Sequence, residues 1–174
     1  MGFFGNDKLE SMDALLLSQV KDLYDAESRI VSSMPDMIEK ASCQKLKAAL
    51  TSHMTESAEH VTRLEEIFSL LNEDSKRETC KATKGLLDEA AETISTDGDP
   101  DVLDAALIAA AQRIEHYEIS AYGSAKAFAE KCGQDQVARL LGQTLAEEHN
   151  ADKILSHLAS TSINNKAAAA NLSS

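Results

Sequence analysis

In the stretch AQRIEHYEISAYG, residues 111–123, Glu115 and Glu118 stand three residues apart, on one face of any helix they join and in register with Ile114 and Ala121. A face that must be buried does not ordinarily carry carboxylates. Taking an ionised carboxylate out of water is expensive unless a cation or hydrogen-bond donors compensate it. The same interruption recurs along the chain. Stepping by fours and threes, one row reads Leu16, Val20, Leu23, Glu27, Ile30, Met34, Met37, Ala41. A second reads Leu46, Ala49, His53, Glu56, His60, Leu64, Ile67, Leu71, and a third Leu107, Ala111, Ile114, Glu118, Ala121, Ala125, Phe128, with Glu115 beside it. The fourth is Val137, Leu141, Leu145, Glu148, Asp152, Leu155, Leu158. Each row is apolar at its ends and acidic near its middle. At ~1.5 Å rise per residue, antiparallel helices of similar length bring their midpoints to one level. Glu27, Glu56, Glu115, Glu118 and Glu148 are therefore expected to meet inside the protein. The chemistry that suits such a meeting is a pair of divalent cations, whose charge balances four carboxylates and whose coordination uses their lone pairs.

The elements that position these residues follow from periodicity and end signals. A first helix is expected from Ser11 or Asp13 to about Ala41, with Pro35 kinking or widening it because the apolar spacing resumes at Met37 and Ile38. A second runs from about Cys43 to Leu71 and ends in the polar turn NEDSKRE. A shorter piece, about Ala82 to Ser95, leads to the loop TDGDP, where Asp99 and Pro100 are the natural cap and first residue of the next helix. That helix runs to about Lys131 and closes at Gly133, and the last long helix covers about Gln134 to Ala159. Two hairpins of long helices joined by a long connection make an all-α, antiparallel four-helix bundle with one crossover containing a short extra helix. Residues 1–162 are expected to form one helical domain, and 163–174, with its run of alanines, a flexible tail.

Composition narrows the function classes. The chain has 174 residues, two prolines, no tryptophan and 4% aromatics, a balance that favours helices packed on helices. A formal charge of −12 repels polyanions, so nucleic acid is excluded as a partner. Cys43, Cys80 and Cys132 are widely spaced with no Cys-x-x-Cys pair, which fits reduced thiols and a cytoplasmic location. No segment has the apolar length of a membrane span or a signal peptide, and Asn6 stands where a myristoylation motif beginning Met1-Gly2 needs Ser or Thr.

With LYDAE in the first helix, ESAEHVTRLEEIF in the second, DAALIAAAQRIEHYEISAYG in the third long helix and LAEEHNADKIL in the last, the chain resembles the ferritin-like superfamily. Within it the match is to the bacterial stress-associated YciE/YciF-type family, from about Leu15 to Leu158. The resemblance implies a dinuclear site with two metal ions, iron foremost and manganese next. It implies Glu27 as a terminal ligand, Glu56 and Glu148 as bridging ligands, and Glu115 and Glu118 binding or bridging. The superfamily's usual Glu-x-x-His is absent at these positions, since Glu59 follows Glu56 and Ala151 follows Glu148 at that spacing. His60 and Asp152 come one residue later, as further candidates for the metal or for a water on it, with Glu59 behind them. Such a site is rich in oxygen and poor in imidazole, which favours hard cations. His53 and His149 are expected beside the ligands or at the surface. Tyr24 and Tyr122 stand where a hydroxyl either bonds a ligand carboxylate or sits at the edge of the core.

Three functions compete: a metal-dependent redox protein acting on oxygen, peroxide or Fe²⁺; a stress-response structural or binding protein whose metal only ties the bundle together; and a metal-free acidic helical adaptor. Phe68, Leu86 and Leu87 are candidates for a two-fold interface, making a homodimer the expected assembly. A ferritin cage is disfavoured, because no fifth C-terminal helix is expected.

Overall fold

The computed structural model describes residues 9–170. The amino-terminal segment, with its Met1-Gly2 and Asn6, and residues 171–174 of the expected tail lie outside the described residues. Four long helices dominate: α1 (Met12–Lys40), α2 (Gln44–Leu70), α4 (Pro100–Lys131) and α5 (Asp135–Leu158), with the shorter α3 (Lys81–Ser95) in the crossover. Among the described residues there is no strand.

The ends follow local chemistry. The Ser11 hydroxyl accepts from the Ala14 amide and caps α1, which then passes through Pro35 without ending. The Asp99 carboxylate accepts from the amides of Asp101 and Val102, Pro100 opens α4, and Gly133 takes the left-handed conformation (φ 69°) beyond its end. At the start of α2, Cys43 offers no side-chain cap. Asp104 supplies one from α4: Oδ1 accepts from the Ser42 amide at 2.7 Å, and Oδ2 from the Ser42 hydroxyl at 2.7 Å and the Cys43 amide at 2.8 Å. Asp104 is buried, so Asp104→Ala strands these donors. We expect it to lower stability by about 3 kcal/mol, read as a lower urea midpoint with an unchanged slope.

Helix α3 is fastened beside the bundle at its first turn. The Cys80 amide donates to Asp25 Oδ2 at 2.9 Å, while the Cys80 thiol lies 3.0 Å from the Tyr117 hydroxyl, which donates to Asp22. One turn of α3 thus ties α1 to α4.

The core is split in two. At one end Ile30, Met34 and Met37 of α1 pack with Leu46 and Leu50 of α2, Leu107 and Ile114 of α4, and Leu155 of α5. At the other, Leu16, Val20 and Leu23 pack with Leu64, Phe68, Ala121, Tyr122, Val137 and Leu141. This pairing makes α1 antiparallel to α2 and α4 antiparallel to α5. Between the two halves lies a layer of buried polar residues.

Two expectations change. Residues 163–170 are not a loose tail: a π-helical turn at Ala159–Ile163 carries α5 into the short helix α6 (Asn164–Ala170), and Ile163 is buried in the first core half. Phe68 is fully buried in the second half and so is not part of an exposed interface, while Leu86 and Leu87 are half-buried against the first.

Candidate metal centre

The polar layer is built from the middles of all four long helices. Glu27 comes from α1, His53, Ser57 and His60 from α2, Glu115 and Glu118 from α4, and Glu148 from α5, and all are buried. Their donor atoms fall into two groups. His53, Glu115, Glu118 and Glu148 each bring a ligand atom within 4.8 Å of the others, as do Glu27, His60 and Glu148. Glu148 belongs to both.

Polar satisfaction fails in this layer and nowhere else among the described residues. The buried side-chain atoms without a hydrogen-bond partner are Oε2 of Glu27, both ring nitrogens of His53, Oγ of Ser57, Oε2 of Glu115 and the oxygens of Glu118 and Glu148. Some are close to one another without being aligned. His53 Nε2 is 3.2 Å from Glu115 Oε1, and His60 Nδ1 is 3.0 Å from Glu148 Oε1, but the hydrogen bond from Nδ1 runs to Glu27 Oε1, also at 3.0 Å. A helix bundle does not bury so many acceptors at one level unless something donates to them. Carboxylates and imidazoles converging from four helices are a donor set for divalent first-row metal ions, so the residues present fit such ions.

The charge states follow from burial and neighbours. Burial, reinforced by the charge of Glu148, pushes the carboxyls of Glu115 and Glu118 well above the usual range. Burial also raises Glu27, against the pull of His60. Burial opposes the charge on Glu148 too, but His60, whose Nδ1 is 3.0 Å away, and His53 outweigh it and hold its carboxyl below the usual range. For His60, burial pushes the ring down, while the carboxylates of Glu148 and Glu27, each with an oxygen 3.0 Å from Nδ1, overturn that and push it up to about 10. His60 is then an imidazolium donating from both nitrogens, Nδ1 into the layer and Nε2 to Glu147 Oε2 at 2.8 Å. Burial pushes the His53 ring down, against the charges of Glu148 and Glu27.

Hydrogen bonds behind the layer orient it. The Tyr122 hydroxyl donates to Glu27 Oε1 at 2.6 Å. Glu147, which receives His60, is clamped by Arg63, whose Nη1 also reaches the Thr144 hydroxyl at 2.5 Å. This fixes the orientation of the His60 ring.

Several residues expected at the site stand elsewhere. Glu56 is half-buried and Glu59 exposed, both outside the two groups, because the inward row of α2 is Leu46, Leu50, His53, Ser57, His60, Leu64, Ile67. Ser57 takes the inward place expected for Glu56. The inward row of α5 likewise runs through Thr144, Glu148 and Ala151, so Asp152 turns aside to accept from Gln112 Nε2 at 2.8 Å. Tyr24 donates to Glu65 at 2.7 Å, away from the layer, and His149 is exposed. His53, expected beside the ligands, is instead grouped with three carboxylates. The signal for it was present: residues 53, 57 and 60 follow the same four-then-three step as the apolar residues flanking them. Glu147 was missed; its only mark in the sequence is adjacency to Glu148.

A cavity of about 40 Å³ opens against the His53 side of the layer, between α2 and α5. Its lining grades from buried Glu115, His53, Leu50, Ala151 and Leu155 through half-buried Glu56 to exposed Ser52 and Ile154 at the outer end.

Two antiparallel helical hairpins around a buried carboxylate and histidine layer define a ferritin-like bundle. The chain belongs to the family described as a domain of unknown function, DUF892, which matches residues 11–168. Protein YciF of Escherichia coli is 36% identical over 160 residues, covering 91% of this chain and 96% of that protein. The crystal structure of the E. coli stress protein YciF superimposes with a TM-score of 0.86 at 35% identity, over 89% of this chain and 98% of that one. YcfI, described as a putative structural protein from Rhodopseudomonas palustris, gives a TM-score of 0.84 at 40% identity, over 88% of this chain and 98% of that one. Among the described residues, no helix is long and apolar enough to cross a membrane.

Proposed function

We propose that this chain is a stress-associated, metal-binding ferritin-like protein whose central layer holds two divalent ions, iron or manganese. Glu27 and His60 would hold one, His53, Glu115 and Glu118 the other, and Glu148 would be shared. The observation that carries this reading is the confinement of the unpartnered buried polar atoms to these residues and Ser57. Two divalent charges balance the four carboxylates and give those atoms something to bind. When bound, such ions supply electrons for the reduction of oxygen or peroxide. The chain's own residues hold and orient: the Tyr122 hydroxyl fixes Glu27, Glu147 fixes His60, and the two apolar core halves keep bulk water out.

A second reading, in which the metal only ties the four helices together, is favoured by one observation. The cavity beside the layer, at about 40 Å³, is too small for an organic substrate. Metal analysis of the purified protein separates the alternatives, followed by melts with added Fe²⁺ or Mn²⁺ and assays of peroxide and Fe²⁺ consumption. We expect about two ions per chain and a raised melting temperature. Consumption of peroxide or Fe²⁺ selects the redox reading, and binding without consumption the structural one. A chain that binds no metal, with melting unmoved by Fe²⁺ or Mn²⁺, overturns both.

A further inference from the structure

The cavity beside His53 has a polar side and an apolar side. On the polar side Glu56 stands half-buried toward the outer end, and Glu115 and His53 are buried. Glu56 makes no ion pair among the described residues. We propose that this slot is the route by which divalent cations reach the layer, with Glu56 as the carboxylate that takes the ion from water and passes it to Glu115 and His53. The inference rests on the metal-binding reading above.

Size and charge argue for it together. A space of about 40 Å³ holds about three water positions, so a fully hydrated ion does not fit. It must exchange waters for protein oxygens at the outer end, where Glu56 supplies them. Beyond that point the buried polar groups of the slot, Glu115 and His53, are themselves ligands for a divalent ion, while Leu50, Ala151 and Leu155 offer no competing donor.

The other flank of the same α2–α5 interface is built the opposite way. There the Arg63 guanidinium spans from α2 to Thr144 and Glu147 of α5 and lies directly behind His60. At that flank the Glu147 carboxylate is already taken up by Arg63 and His60, whereas Glu56 has no ion pair among the described residues and its charge is open to an arriving cation. The chain's net charge of −12 raises the concentration of cations at the surface, and Glu56 gives them a place to land.

The test uses the full-length metal-free protein mixed rapidly with Co²⁺ alone, the bound ion being followed by its visible absorption. Glu56→Gln removes the charge at the outer end, and Ala151→Leu narrows the slot without touching a ligand. Glu66→Gln removes an equal charge from an exposed position on α2. We expect Glu56→Gln to fill about tenfold more slowly, with a weaker salt dependence, and to reach the wild-type final absorbance. Ala151→Leu should also be slow, and Glu66→Gln should match wild type. Wild-type filling rates in Glu56→Gln overturn the route, whether or not Ala151→Leu folds. A lowered final absorbance at an unchanged rate overturns it too, by making Glu56 a ligand. If the wild-type protein takes up no Co²⁺, the metal-binding reading itself falls, an outcome distinct from either rate result.

Discussion

Replacing Glu118 by Gln is expected to raise the melting temperature of the metal-free protein at neutral pH and to abolish further stabilisation by Mn²⁺. Glu118 is fully buried, and neither of its oxygens has a hydrogen-bond partner. Burial, then the charges of Glu148, Glu27 and Glu115, push its carboxyl well above the usual range. A carboxyl raised in the folded state contributes stability that is complete below its unfolded pKa, about 4.3, and is lost as pH rises through the folded value. At neutral pH the metal-free protein therefore bears a penalty at this position that an amide does not. Relieving a buried, uncompensated charge is worth about 1–4 kcal/mol, and each kcal/mol moves the midpoint by about 2–4 °C in a chain of this size. Glu148→Gln should move the metal-free protein the other way. Its carboxylate is held ionised by His60 and His53, and removing it leaves the His60 imidazolium with Glu27 alone on that side. Melts in chelator and in Mn²⁺ check both. Equal destabilisation by the two substitutions, with the Mn²⁺ response intact, would refute a metal layer.

That two glutamates one helix apart should act with opposite sign depends on phase, and phase is where sequence and structure part. In α1 the row from Leu16 to Ala41 is buried at every position, because large apolar residues flank Glu27 on both sides and fix the face. The third row, in α4, is fixed in the same way around Glu115 and Glu118. In α2 and α5 the inward positions beside the layer are Ser57, Thr144 and Ala151. These residues are small, and a search for apolar and charged rows passes over them to Glu56, Leu145 and Asp152, one residue away. A single-residue slip turns a helical side chain by about 100°, enough to take Glu56 from a bridging ligand to the outer end of the slot. The helix ends were legible because caps are local chemistry: Ser11, Asp99, Pro100 and Gly133 need only their neighbours. The cap that Asp104 lends to α2 joins residues about sixty apart, and the π-helical turn at Ala159–Ile163 has no comparable local mark, so neither could be read beforehand.

Metal uptake by this layer is expected to release more than one proton per chain, and the affinity for Mn²⁺ to fall more than tenfold between pH 7 and pH 6. In the metal-free protein the layer supplies its own positive charge. His60, pushed up to about 10 by the adjacent carboxylates of Glu148 and Glu27 against the effect of burial, is an imidazolium at neutral pH. The carboxyls of Glu115 and Glu118, raised well above the usual range by burial, keep their protons to higher pH than free carboxyls do. A ligand must lose its proton to bind a cation, and each proton released per ion bound weakens binding tenfold for every unit the pH is lowered. The stability of the metal-free chain should run the other way. The contribution of His60 is complete below its unfolded pKa of about 6.5 and is lost as pH rises through about 10. That of Glu115 and Glu118 is lost over the range above about 4.3. Both signs make the metal-free protein more stable at pH 6 than at pH 9, while bound metal is held more tightly as pH rises. Calorimetric titration with Mn²⁺ in buffers of different ionisation heat counts the protons, and melts from pH 5 to pH 9 with and without Mn²⁺ trace the two opposed dependences. Pairing between His60 and its two carboxylates makes the metal-free bundle foldable; the same pairing sets the pH below which a divalent ion no longer displaces the His60 proton. Uptake without proton release, with an affinity flat in pH, would mean that the layer is fully ionised before metal arrives and that His60 is not its counter-charge.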